Sequence, residues 1–532
     1  MTQRLVWAMV VATLGCGGAA QSPPAHAPTG TSTSTPTVAV ASDPFARPAA
    51  LEPDRIPADP GAPPDLAPWK QAKTLKGLPA RPASCKIAKE SSKGPACADE
   101  ASAIAAVQSA LGATDRDAAL AALAGCALPP GFVAAVRAEM LPLECADAVT
   151  DPWIDKGLTD VSPALAHILV GQSLGAKLAR SVTAPPSPPK LATKEAMRNW
   201  TAQKVAPWAL AQATLVQQLS NAGAGLVGVG LAIAAVEAGR ADLRFVEVAR
   251  AIPMPKEIRS DAELREIYES ALEQALESRK VRGRDATLVA LRTFADFGVI
   301  GDSKRMQSAR DLLGTMYGGR RVDALDALIV PGAPPSSSSS ELPSYLRALV
   351  PGLRATLIAE ADRGAANALV PDARKTKPTE PTAQLARAQS SLRLAATHWR
   401  RASADAVFEL LGDRRDAEVE PLLALALALH EGPKDVVQMM AASSPAALGF
   451  RNLAALDVVA KRDGVVGGAA LFNATLLREV ARPDDAGAAF YRELAAQYQA
   501  AVEKLGATPE GQRAKERATA ALATAQAASN TK

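Results

Sequence analysis

Apolar residues recur at three-and-four spacing through most of the chain after Asp99. That is the period of a helix with one buried face, and no alternating strand pattern competes with it. The cleanest case spans 261–281. Leu264, Ile267, Tyr268, Ala271, Leu272, Ala275 and Leu276 share a stripe, and Arg265, Glu266, Glu269 and Glu273 take other faces. Ser260 and Glu263 have the spacing of a capping box. Gly283 reads as the end of this helix, and 285–297 as the next one, through Leu288, Leu291 and Phe294. Ser303 opens another through Met306 and Leu313. Upstream, Thr114 with Asp117 marks a helix start. The turn Pro129-Pro130-Gly131 separates a helix ending near Cys126 from one through Phe132, Val136 and Met140. Downstream, 414–431, 443–461 and 484–505 repeat the pattern, the last from Asp484 and Asp485 with a stripe through Phe490, Leu494, Tyr498 and Val502. Pro433 after Gly432 marks a stop followed by a new start. The expectation is an all-α fold, an irregular multi-helix bundle or a helical-repeat-like array.

The periodicity stops at several places. Residues 17–82 hold fourteen of the forty prolines and the tract Thr31-Ser32-Thr33-Ser34-Thr35-Pro36, with few bulky apolar groups. Such a segment buries too little to offset its ordering entropy and predicts a disordered spacer. Leu66 and Trp69 are where it begins to dock, unless the tryptophan faces solvent. Pro331-Gly332-Ala333-Pro334-Pro335 with the serines 336–340, and later 371–381, read as further breaks. These divide the chain into a small unit at 83–158, a helical domain at 159–330, a linker at 331–341, a second helical domain at 342–507 and a frayed or disordered tail at 508–532. Within 214–236 there are 23 residues without charge, crowded by Gly223, Gly225, Gly228 and Gly230. Gln217, Gln218, Ser220 and Asn221 leave roughly fifteen apolar residues, short of a membrane span. The expectation there is one buried, glycine-rich helix in close contact with a neighbour.

Antiparallel helix pairs of this kind loosely resemble tetratricopeptide-type helical repeats. That family's 34-residue register does not recur here, so no peptide-groove residues carry over.

Arg4, the uncharged run from Leu5 to Leu14, and Gly15-Cys16 have the layout of a secretion signal. Thr13-Leu14-Gly15-Cys16 resembles the lipobox of bacterial lipoproteins, with Thr13 where that family usually has leucine. The resemblance implies cleavage before Cys16, acylation of its thiol and, with no aspartate following, sorting to the outer membrane. Cleavage near Ala19-Ala20 and simple secretion is the alternative. Cys85, Cys97, Cys126 and Cys145 lie within 61 residues, and the following 387 contain none. In an exported protein they predict two disulfides, with Cys85–Cys97 and Cys126–Cys145 preferred because each closes a short loop.

Composition narrows the chemistry. The 532 residues, 55.0 kDa in all, are 48% hydrophobic and 4% aromatic, with 59 basic and 55 acidic side chains. A net charge of +4 argues against nucleic acid as a partner. Four histidines and no close cysteine pair point to no metal and no cofactor. One motif points to an enzyme. Gly171-Gln172-Ser173-Leu174-Gly175 resembles the G-x-S-x-G nucleophile elbow of the α/β-hydrolases. The resemblance implies Ser173 as nucleophile with His398 or His430 as base, but the strands and oxyanion loop of that fold have no counterpart. The leading expectation is therefore a non-enzymatic envelope lipoprotein, a helical scaffold or protein-binding module with envelope protein partners and the bilayer as anchor. The alternatives are a Ser173 hydrolase and a small-ligand binder using a pocket lined by Trp200 and Trp208.

Overall fold

Helix follows helix along the chain, and the described residues of the computed structural model contain no strand. Those residues are 43–55, 57–90, 97–189, 194–299, 309–310, 313, 324–332, 342–362, 376–450 and 452–530. The signal and lipobox, the first part of the expected spacer, most of the helix expected from Ser303, and most of 331–341 lie outside them.

The first part of the body holds α1 (Ala67–Lys73), α2 (Glu100–Leu111), α3 (Arg116–Ala121), α4 (Phe132–Met140), α5 (Asp147–Asp155) and α6 (Pro163–Ser181). Asp99 and Asp115 cap α2 and α3 by accepting from Ser102 N and Ala118 N, and Gly131, at φ +83°, turns the chain into α4. Then come α7 (Lys194–Trp200), α8 (Ala206–Gly223), α9 (Gly228–Arg250) and α10 (Ala262–Asp296). In the last part α11 (Pro351–Asp362), α12 (Pro381–His398), α13 (Arg401–Leu411), α14 (Glu420–His430), α15 (Ala454–Ala460), α16 (Gly464–Val480), α17 (Ala488–Leu505) and α18 (Pro509–Asn530) follow. From α12 onward each helix packs chiefly on its chain neighbours, as in a stacked array.

Three glycine readings change. Gly283 does not end a helix, because α10 runs unbroken for 35 residues from an Asp261 cap. The glycine is there because α9 crosses at that point: a Cβ on Gly283 would sit 2.8 Å from the Leu243 side chain, and one on Gly239 would strike Thr287. The stretch 214–236 is two helices, broken at residues 224–227 and restarted at Gly228 with φ +59°. Close contact does occur within it. On α9, Gly230 lies against the His167 carbonyl of α6, and Gly171 of α6 lies against the Gly230 carbonyl, so neither position has room for a Cβ. Gly230→Ala is expected to destabilise the fold by about 1–3 kcal/mol, since a backbone carbonyl cannot rotate aside. Gly225→Ala, facing open space, is the control in urea unfolding. Equal midpoints for the two variants would remove the crossing as a constraint.

The described part of the expected 17–82 spacer is packed on the body. Residues 43–55 and 57–82 form a strap across the body. Phe45 is buried, Glu52 N donates to Asp405 Oδ2 at 2.7 Å, and Asp54 pairs with Arg400. Further along, Ala62 O meets His167, and Trp69 is 1% exposed. The docking read at Leu66 and Trp69 is present, whereas the contacts before α1 left no sign in the sequence because each is one residue long, with no periodic stripe. The tail also differs: α18 buries Ala514, Ala518, Ala521 and Ala525 against α17. Alanine at helical spacing makes a close-packing face, which composition alone disguises as a fraying end. The largest apolar cluster draws on all the segments expected as separate units, from Phe45 through Leu165 and Phe294 to Ala521.

Candidate functional site

Ser173 sits in the middle of α6, fully buried. In an α/β-hydrolase the serine tops a strand; here neither flanking glycine makes a turn. The hydroxyl donates to Asp151 Oδ1 at 2.6 Å and accepts from Trp69 Nε1 at 2.7 Å and from Lys177 Nζ at 2.8 Å. One donor and two acceptor sites are a hydroxyl's whole capacity. Lys177, one turn on, reaches both Asp151 oxygens at 2.9 and 3.1 Å, and its ammonium lies 5.5 Å from the Trp69 ring centroid. Arg180 bonds both oxygens of Asp147, and Arg81 of the strap reaches Asp147 and Asp151. Burial alone would raise the Asp147 carboxyl. The Arg180 hydrogen bond and the charges of Lys177, Arg180 and Arg81 outweigh it and hold the group below its ordinary value. Burial pushes the Lys177 ammonium down, against the pull of Asp151 and Asp147. A Ser–Lys–Asp cluster has the parts of a nucleophile with its base, but here every polar atom of the serine is engaged beneath Trp69.

The histidines expected as bases are elsewhere. His398, buried at the end of α12, has Nε2 2.5 Å from Val299 O, and His430 Nδ1 lies 2.7 Å from Asp405 Oδ1. Neither is among the hydrogen-bond partners of Ser173. The cysteines pair, but not as preferred: Cys85 joins Cys145 and Cys97 joins Cys126, with Cα separations of 5.4 and 4.9 Å. No cluster of three metal-ligating side chains occurs among the described residues, and no helix there is long and apolar enough to cross a membrane.

A second place has room for a molecule. The helix from Lys194 widens into a π turn at Thr201–Val205 before α8, where Pro207 has no N–H to give the preceding turn. Beside it α9, α10 and the 251–255 connection leave a half-open cavity of about 80 Å³. Trp200, Trp208, Phe245 and Tyr268 form its aromatic walls and Leu272 part of the remainder; among the described residues no charged side chain lines it. Trp208 stacks on Phe245 with centroids 5.7 Å apart. Trp200 is 8% exposed, and its Nε1 is buried without a partner. Burial raises the Tyr268 phenol above its ordinary value.

No family model matches this chain, and no curated protein or solved structure matches it either.

The sequence named Trp200 and Trp208 as pocket candidates, and the structure brings them together with Phe245 and Tyr268. It had no signal for Trp69, Asp147, Asp151 and Lys177 as one cluster, beyond the i, i+4 spacing of Ser173 and Lys177.

Proposed function

We propose that this chain is a non-enzymatic binding protein of the bacterial cell envelope, anchored through acylated Cys16, whose helical body takes a small ligand by its apolar surface in the Trp200–Trp208 cavity. The observation that carries the reading is the cavity itself: four aromatic side chains around one opening with no charge among its walls. Ligand sites are commonly concave, apolar and held between helices. Against a hydrolase stands the saturated Ser173 hydroxyl, which leaves no place for a reacting atom. The scaffold expected from sequence becomes the frame that holds the cavity.

Cys16→Ser is expected to move the protein from the membrane fraction to the soluble one, and retention in the membrane would sink the anchor. In that same unacylated chain, which needs no detergent, 3,3-dimethylbutan-1-ol is expected to bind saturably in calorimetric titration. Ala271→Phe, placed at the cavity wall, is expected to weaken it by about tenfold or more, since the ring replaces the ligand's share of apolar contact. Binding unaffected by the plug would end the cavity reading.

A further inference from the structure

The chain has twenty aromatic residues in 532, yet four of them, Trp200, Trp208, Phe245 and Tyr268, line one cavity of about 80 Å³. From this we infer that the cavity is an aromatic cage for a quaternary ammonium group, an inference that rests on the ligand-binding reading above. Ring faces carry the negative end of a quadrupole and attract a cation held within about 6 Å. A primary ammonium would also need hydrogen-bond acceptors, and these walls supply scarcely any. An alkylated ammonium has no N–H to satisfy and presents only methyl groups, so aromatic walls suit both its charge and its surface.

Size limits what is enclosed. The cavity of about 80 Å³ is roughly half the engineered one of about 150 Å³ that takes benzene, so it encloses part of a trimethylammonium head. The rest of the molecule would lie in the open mouth. The nearest chain segment carries an acidic excess. Across 252–275, which supplies one side of the cavity, there are six acidic residues and three basic ones, Lys256, Arg259 and Arg265, and of the six Glu273 is paired with Arg250 and Lys280. Phe245 is already engaged, stacked on Trp208 at 5.7 Å and under the Arg279 guanidinium at 5.8 Å, so the rings left to meet a ligand cation are Trp200, Trp208 and Tyr268.

Choline and 3,3-dimethylbutan-1-ol have the same shape and the same hydroxyl, and differ in a positive nitrogen against a neutral carbon. Any hydrogen bond to Trp200 Nε1 therefore cancels between them. In calorimetric titration of the Cys16→Ser chain, choline is expected to bind about tenfold more tightly than its neutral isostere. The preference is expected to persist near 1 M salt, where screening at about 3 Å removes general attraction to acidic surface. Trp208→Leu is expected to remove most of that preference, read as the ratio of the two dissociation constants, because the cavity wall it alters is shared by both ligands and its loss of apolar contact cancels in the ratio. Tyr268→Leu serves as the second variant should the first fail to fold. If the alcohol binds saturably and choline no more tightly, the cage is wrong and the apolar cavity stands. If neither binds, both readings fall.

Discussion

Lys177→Met should lower the free energy of unfolding by about 3–5 kcal/mol, the usual consequence of removing one partner from a buried ion pair. Methionine fills nearly the same volume, so packing is not what is lost. Lys177 is 2% exposed and is the cation nearest Asp151, which retains only the Ser173 hydroxyl and Arg81, itself 42% exposed in its side chain. Asp147 keeps its pair with Arg180 at 2.8 Å, so the loss falls on Asp151. Adding Asp151→Asn to Lys177→Met should recover part of the stability, because the uncompensated charge goes with its partner. Urea unfolding of the two variants measures both effects. A loss below about 1 kcal/mol for Lys177→Met, the level of an exposed pair, would mean that water reaches the cluster. The Ser173–Lys177 pair would then be open to chemistry, and the case against a hydrolase would weaken.

The same cluster shows what the sequence could and could not disclose. Helices were legible because each buries a periodic stripe: 132–140 through Phe132 and Val136, and the 488–505 helix through Leu494 and Tyr498. What a glycine or a lone tryptophan does was not legible, because that depends on which helix arrives from elsewhere. Gly171 reads as part of a turn, between close-packed helices or at a nucleophile elbow, and Gly283 as a stop, yet both are crossing points inside unbroken helices. Trp69 reads as a docking point, and what the sequence could not name is its partner, a serine 104 residues away that accepts its indole N–H. Local rules give glycine a conformational meaning first. Only tertiary packing tells contact from turn.

Replacing Cys85 and Cys145 together by serine should cost about 4 kcal/mol, the loop-closure entropy returned to the unfolded chain by a crosslink spanning 60 residues. Cys97 and Cys126, 29 apart, should cost about 3.5 kcal/mol by the same relation. The two bonds are nested rather than successive. Short loops looked preferable because closing them is entropically easier, but the folded body returns residue 85 to the segment entering α5. There the neighbouring chain is held again, with Arg137 Nη2 donating to Ala88 O at 2.7 Å and Asp117 accepting from Ala88 N at 2.6 Å. A non-reducing peptide map should give 85–145 and 97–126, and an 85–97 peptide would overturn the nesting. Four residues before Cys85, Arg81 reaches Asp147 and Asp151. Freeing Cys85 should therefore slacken the cluster around Lys177. Combined with Lys177→Met, the double-serine variant should lose less stability than the two separate losses predict, because sites sharing partners do not add. Strict additivity would show that the strap and the buried cluster are held independently.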